Sequence, residues 1–131
     1  MAETKTKSKK SKAKKSGGAD PFEQSGVSPE RATELLRDML FYRRFEEKAE
    51  EAYAIGKIGG FCHLHIGQEG VAAGCIQPLE ADDYVISAYR EHTQAIAKGV
   101  DPNAVMAELY GKSGGSSGGK GGSMHIFDKA T

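Results

Sequence analysis

Residues 28–56, SPERATELLRDMLFYRRFEEKAEEAYAIG, spell out a long amphipathic helix. Ser28 is an N-cap residue, and Pro29 stands at the first helical position, where a missing N–H costs nothing. Behind them Leu35, Leu36, Met39, Leu40, Phe45, Ala49, Ala52 and Tyr53 recur at spacings that put side chains on one helical face. The pattern predicts a helix from about Pro29 to Ile55, stopped by Gly56. On its outer face, Arg43 and Arg44 can each pair with Glu47. A helix apolar on one side and charged on the other must pack on something.

Downstream, Gly56, Gly59 and Gly60 open a loop that runs through Phe61-Cys62-His63-Leu64-His65. A short helix rich in small residues is expected from Gln68 to Ile76, halted by Pro78. Tyr84-Val85-Ile86-Ser87 is the one strand candidate. Helices follow from Glu91 to Lys98, ended by Gly99, and from Pro102 to Tyr110, capped by Asp101. A glycine loop spans Gly111 to Gly122 and holds seven of the seventeen glycines, so its composition reads as flexible. Apolar character resumes at Met124-His125-Ile126-Phe127. The fold class is mostly α with long loops.

Upstream, composition changes. Residues 1–20 carry seven lysines against Glu3 and Asp20, a net of +5, and the remainder is −5, so the chain's zero net charge hides a basic tail on an acidic body. Residues 1–27 read as a disordered basic tail, and residues 28–131 as the folded part. The lysine run fits a contact with an acidic partner or a solvated tether. Its lack of arginine and aromatic residues favours the tether and argues against nucleic acid. No run of about 18 apolar residues exists to span a membrane. The two cysteines, Cys62 and Cys75, make no disulfide framework, which fits a reducing compartment.

Three places could carry chemistry. His63 and His65 form an H-x-H pair beside Cys62, in a glycine-flanked loop of the kind that concentrates function. With no C-x-x-C and no helical H-x-x-x-H, a zinc site there is weakly supported. Tyr89-Arg90-Glu91-His92 joins the strand candidate to a helix, a junction where α/β folds place ligands. Arg90 there either meets phosphate or carboxylate oxygens or pairs with Asp82, Asp83 or Glu91, and the residues alone leave both open. The glycine loop contains G-x-x-x-x-G-K from Gly114 to Lys120. Gly121 stands where a phosphate-binding loop needs Ser or Thr, so a nucleotide triphosphatase is rejected.

From about Pro29 to Asp128 the chain resembles the alpha subunits of the thiamine-diphosphate-dependent components of 2-oxoacid dehydrogenase complexes, the pyruvate branch above all. Four segments carry the resemblance in order: Arg43-Arg44-Phe45-Glu46, the loop Phe61 to Glu69, Ser87 to His92, and Gly118 to His125. The resemblance implies the N-terminal portion of an α/β thiamine-diphosphate-binding fold. It implies that Tyr89 and Arg90 bind thiamine diphosphate, with Arg90 near its diphosphate, and that His63 is catalytic and lines the substrate site. Mg²⁺ ligands are implied to lie beyond residue 131, leaving no metal site in these residues and an inactive isolated fragment. The implied reaction is oxidative decarboxylation of pyruvate, with the acetyl unit passed to a lipoyl group. The implied partners are a beta subunit, in a heterotetramer, and a lipoyl-bearing dihydrolipoyl acyltransferase. Location would be cytoplasmic in a bacterium and the mitochondrial matrix in a eukaryote. Alternatives are an acetoin or branched-chain 2-oxoacid dehydrogenase subunit and a non-catalytic helical interaction module.

Overall fold

The computed structural model describes residues 20–129, and the lysine run of the tail lies outside them. The chain order is α1 (Pro21–Gln24), α2 (Pro29–Ala54), α3 (Glu69–Cys75), α4 (His92–Lys98) and α5 (Pro102–Leu109), closed by a 3₁₀ turn at Gly122–Met124. α1 is one turn of helix within the stretch read as tail, capped by the Asp20 carboxylate on the Phe22 N–H.

The long helix forms as its termini dictate. The Ser28 hydroxyl accepts from the Arg31 N–H at 3.2 Å, and Gly56 takes φ +72° just past the C-cap Ile55. At about 1.5 Å per residue, its 26 residues make a rod of about 39 Å. Tyr42, Phe45, Ala49 and Ala52 face the core, where Ala72 and Ala73 of α3, Ile96 of α4 and Val105 and Leu109 of α5 meet them. The small residues of α3 let it lie close to α2, and α4 and α5 complete the cluster. Gln77 pins the turn after α3 by donating to Asp38 and to the Tyr42 hydroxyl.

Arg43 corrects one expectation. Instead of pairing with Glu47 along its own helix, it reaches α3 and donates from Nε and Nη2 to the two oxygens of Glu69, at 2.6 and 3.0 Å. Arg44 takes Glu47, at 2.7 Å. The Arg43 hydrogen bonds outweigh the cost of burial and, with the Gly67 N–H, hold the Glu69 carboxyl at about 2. That lies below the ordinary unfolded value of about 4.3. The pair's stabilisation is therefore complete above about pH 4.3 and fades as pH falls toward the folded value. Glu69→Gln in the intact subunit is expected to lower the melting temperature at pH 7 and to flatten its fall across that acid window, as read by thermal unfolding at a series of pH values.

The strand candidate is corrected as well. Among the described residues there is no β-strand, and residues 84–87 run without ladder hydrogen bonds. Tyr84 and Ile86 are at least nine-tenths exposed. β-branched and aromatic residues favour a strand only where a second chain segment takes their backbone N–H and C=O groups, and among the described residues no segment does so. The mostly α class with long loops stands.

The glycine loop is built around an anion, contrary to its reading as a flexible linker. The fully buried Glu108 carboxylate accepts from the backbone N–H groups of Ser117, Gly119, Gly121 and Gly122, at 2.6–3.1 Å. Burial pushes this carboxyl up, but the four donors outweigh it and leave it below the usual carboxylate range. The loop thus cradles an anion as phosphate loops do, and the anion is its own glutamate. Gly119 shows why the composition is needed. It sits at φ +75°, and a Cβ there would stand 2.5–2.7 Å from backbone atoms of Gly111 and Lys112. The left-handed conformation alone costs a side chain about 1–2 kcal/mol. Gly119→Ala is expected to destabilise the intact subunit by at least that much in denaturant unfolding.

Candidate functional site

Two loops meet at the site. One is Phe61 to His65, after α2, and the other is the junction Ala88 to Glu91 that enters α4. His65 ties them together. It is fully buried, with Nδ1 2.8 Å from the Arg90 carbonyl oxygen and Nε2 2.9 Å from that of Gln68. The ring is thereby held between a carbonyl of each segment. The Arg90 side chain returns the contact by donating from Nε to the Leu64 carbonyl, at 2.8 Å.

Tyr89 stands at the apex of a three-residue turn closed by the Arg90 N–H on the Ala88 carbonyl, at 2.8 Å. Its φ is +65°, the one positive value outside glycine among the described residues. Such turns are rare and strained, and strain of this kind gathers where a side chain must be presented in a particular direction. Tyr89 is 61% exposed, and its ring meets the His63 imidazole edge-to-face, centroids 5.4 Å apart. Phe61 stacks on the same imidazole, centroids 6.2 Å apart. Among the described residues, neither His63 ring nitrogen has a hydrogen-bond partner.

The structure therefore brings His63, Tyr89 and Arg90 together, from positions up to 27 residues apart in the chain. The pairing of Arg90 with Asp82, Asp83 or Glu91 does not form. Among the described residues Arg90 has no ion pair, and its two terminal guanidinium nitrogens make no hydrogen bond. The exposed guanidinium is oriented by Leu64 through Nε and open at its outer edge. The arrangement suits an anion's oxygens at Arg90, with a flat aromatic face at Tyr89 and an unspent imidazole at His63.

A buried polar row lies behind this face. The Glu46 carboxylate on α2 sits 3.1 Å from His92 Nδ1, and His92 Nε2 sits 2.7 Å from the Ser123 hydroxyl. Ser123 Oγ in turn accepts from the His63 N–H at 3.0 Å. Glu46 and His92 are fully buried, and Ser123 nearly so. Beside them the Cys62 thiol is pushed up by burial first and by the Glu46 charge second, against an opposing hydrogen bond with Ser123. Sequence reading missed Glu46 and Ser123 as functional side chains. One signal was present: Glu46 interrupts the Tyr42, Phe45, Ala49 face, where a charge has no place unless it meets a partner.

Among the described residues no three His, Cys, Asp or Glu side chains gather as a metal site. No helix of the described residues is long and apolar enough to cross a membrane. A cavity of about 390 Å³ lies between Ile86, Lys98 and Phe127; Glu91 lines it, and none of His63, Tyr89 and Arg90 does.

Residues 37–131, more than half of the chain, match the family described as the dehydrogenase E1 component. Curated relatives agree. The chain is 53% identical over 102 residues to the pyruvate dehydrogenase E1 component subunit alpha of Rhizobium meliloti, covering 78% of this chain and 29% of the relative. It is 54% identical over 99 residues to the protein of that name from Zymomonas mobilis, covering 75% and 28%. For the one from Porphyra purpurea the identity is 53% over 93 residues, covering 71% and 27%. The chain thus spans less than a third of the length of the curated relatives it matches.

Proposed function

Because the chain belongs to the dehydrogenase E1 component family, we propose that it forms the N-terminal part of an alpha subunit that decarboxylates pyruvate oxidatively. The acetyl unit then passes to a lipoyl group within a pyruvate dehydrogenase complex. The relatives' names support this reading, and so does the site itself. One observation carries it: a guanidinium oriented by the Leu64 carbonyl but unpaired at its outer edge, beside a strained tyrosine and an imidazole with unspent nitrogens.

Thiamine diphosphate is the cofactor that this arrangement fits. Arg90 would hold the diphosphate through the open edge of its guanidinium, and Tyr89 would add ring and hydroxyl contacts. The cofactor supplies the electron sink when bound. The chain's own residues do the rest of the local work. Arg90 neutralises anionic charge. The aromatic pair Phe61 and Tyr89 holds the His63 ring in place, so that a ring nitrogen can donate to a 2-oxoacid carboxylate or carry a proton. Mg²⁺ has no ligand cluster among the described residues, and no step here depends on one. A beta subunit and a lipoyl-bearing acyltransferase are the proposed partners, and a bacterial cytoplasm or mitochondrial matrix the proposed location.

The test is calorimetric titration of thiamine diphosphate, with magnesium, into the intact alpha subunit with and without its beta subunit. Tight binding to the pair is expected, with far weaker binding to alpha alone. No binding to the assembled pair would overturn the reading.

A further inference from the structure

The row Glu46, His92, Ser123 has the order of an acid–imidazole–hydroxyl triad, but its burial and polarity give it another use. The carboxylate faces Nδ1, which fixes the proton there and leaves Nε2 as an acceptor. The Ser123 hydroxyl proton is then committed to Nε2, at 2.7 Å. Ser123 is only 4% exposed and its oxygen accepts from the His63 N–H, so it is not open to a substrate as a nucleophile. Its lone pairs are aimed instead at the His63 backbone N–H.

We propose that Glu46, His92 and Ser123 are positioning residues that fix the backbone of His63, and through it the angle at which the imidazole meets the substrate. The proposal deepens the functional reading above and rests on it for the role of the imidazole. The geometry supports it in two ways. The three side chains come from α2, α4 and the 3₁₀ turn, so the row ties the loop of residues 61–65 to three elements at once. The turn itself is held by the loop around Glu108, whose carboxylate accepts from Gly121 and Gly122 immediately before Ser123. The glycine loop thereby bears on His63 without touching its ring.

The experiment compares wild type, Ser123→Ala and Ser123→Thr in the intact alpha subunit assembled with its beta subunit, by amide hydrogen exchange and steady-state kinetics. Ser123→Ala is expected to speed exchange at the His63 amide at least tenfold while α2 and α5 exchange as before. It is also expected to lower kcat for pyruvate about tenfold, with the cofactor dissociation constant within twofold of wild type. Ser123→Thr, which keeps the hydroxyl, restores both. Should Ser123→Ala fail to assemble, His92→Gln leaves Ser123 without its fixed acceptor and is expected to give the same changes at smaller size. Unchanged exchange at His63, or loosening of α2 and α5 equal to that of residues 61–65, would overturn the proposal. Faster exchange with unchanged kcat would also overturn its link to turnover. The functional reading of His63 itself fails only if His63→Ala turns over normally.

Discussion

Replacing Arg90 with alanine in the intact alpha subunit, assembled with its beta subunit, is expected to raise the dissociation constant of thiamine diphosphate about ten- to a hundredfold. A hydrogen bond to a charged group contributes on the order of 1.5–3 kcal/mol, and each 1.4 kcal/mol is about a factor of ten in affinity. The structure says why this arginine should deliver that amount. Its Nε is committed to the Leu64 carbonyl, which fixes the plane of the guanidinium, and its carbonyl is held by His65, which fixes the backbone beneath it. Little conformational freedom is left to lose when an anion arrives. Arg90→Lys keeps the charge but loses the fork and the Leu64 clip, so it should weaken binding less than alanine does. Calorimetric titration of the cofactor into each assembled variant separates these outcomes. Wild-type affinity in Arg90→Ala would make the arginine a brace for the loop of residues 61–65 and would remove Tyr89 from the site with it.

The ends of α2, α4 and α5 were legible because they are local matters. Ser28, Pro29, Gly56, Gly99 and Asp101 act within a few residues of themselves, and each stands at the terminus that its chemistry predicts. Partners across the chain were not legible. Arg43 had an acceptable partner one turn away in Glu47, and nothing local reveals that Glu69 would offer it both oxygens. The glycine loop misled for the same reason. Its composition is that of a linker, and the feature that orders it, Glu108, sits on the preceding helix between the core residues Val105 and Leu109. Glu46 repeats the pattern on α2. In both helices an acid on the apolar face marked a buried polar centre, and the rule that buried charges are partnered could have found them. Residues 84–87 show the converse: their strand propensity was plain, but a strand is made by its neighbour.

Residue chemistry singled out Arg90 as a candidate anion contact, and the resemblance supplied the proposed roles of His63, Tyr89 and Arg90. Their juxtaposition was not legible, since it depends on His65 clamping the two loops and on a positive φ at Tyr89 that no side chain announces.

His63→Ala is expected to have the largest effect of all, and a different kind of effect. In the assembled enzyme turnover with pyruvate should fall about a hundredfold or more, the range in which a positioned proton donor or acceptor contributes about 10²–10⁴. Cofactor affinity should stay within about twofold of wild type, because the imidazole makes no contact that orients Arg90: the guanidinium rests on Leu64 and the arginine backbone on His65. The contrast with Arg90→Ala is the point of the pair. One variant loses binding of the cofactor and recovers turnover when cofactor is supplied in excess, while the other binds normally and turns over slowly at any concentration. His63→Gln tests the chemistry further. Glutamine can still donate a hydrogen bond to a substrate carboxylate, but it cannot carry a proton between steps. If the imidazole only anchors the carboxylate, glutamine should return much of the lost rate. If it moves a proton, glutamine should be as slow as alanine and the pH dependence of kcat should lose one limb. Normal turnover in His63→Ala would leave the ring as packing between Phe61 and Tyr89, and the catalytic role would have to be sought outside the described residues.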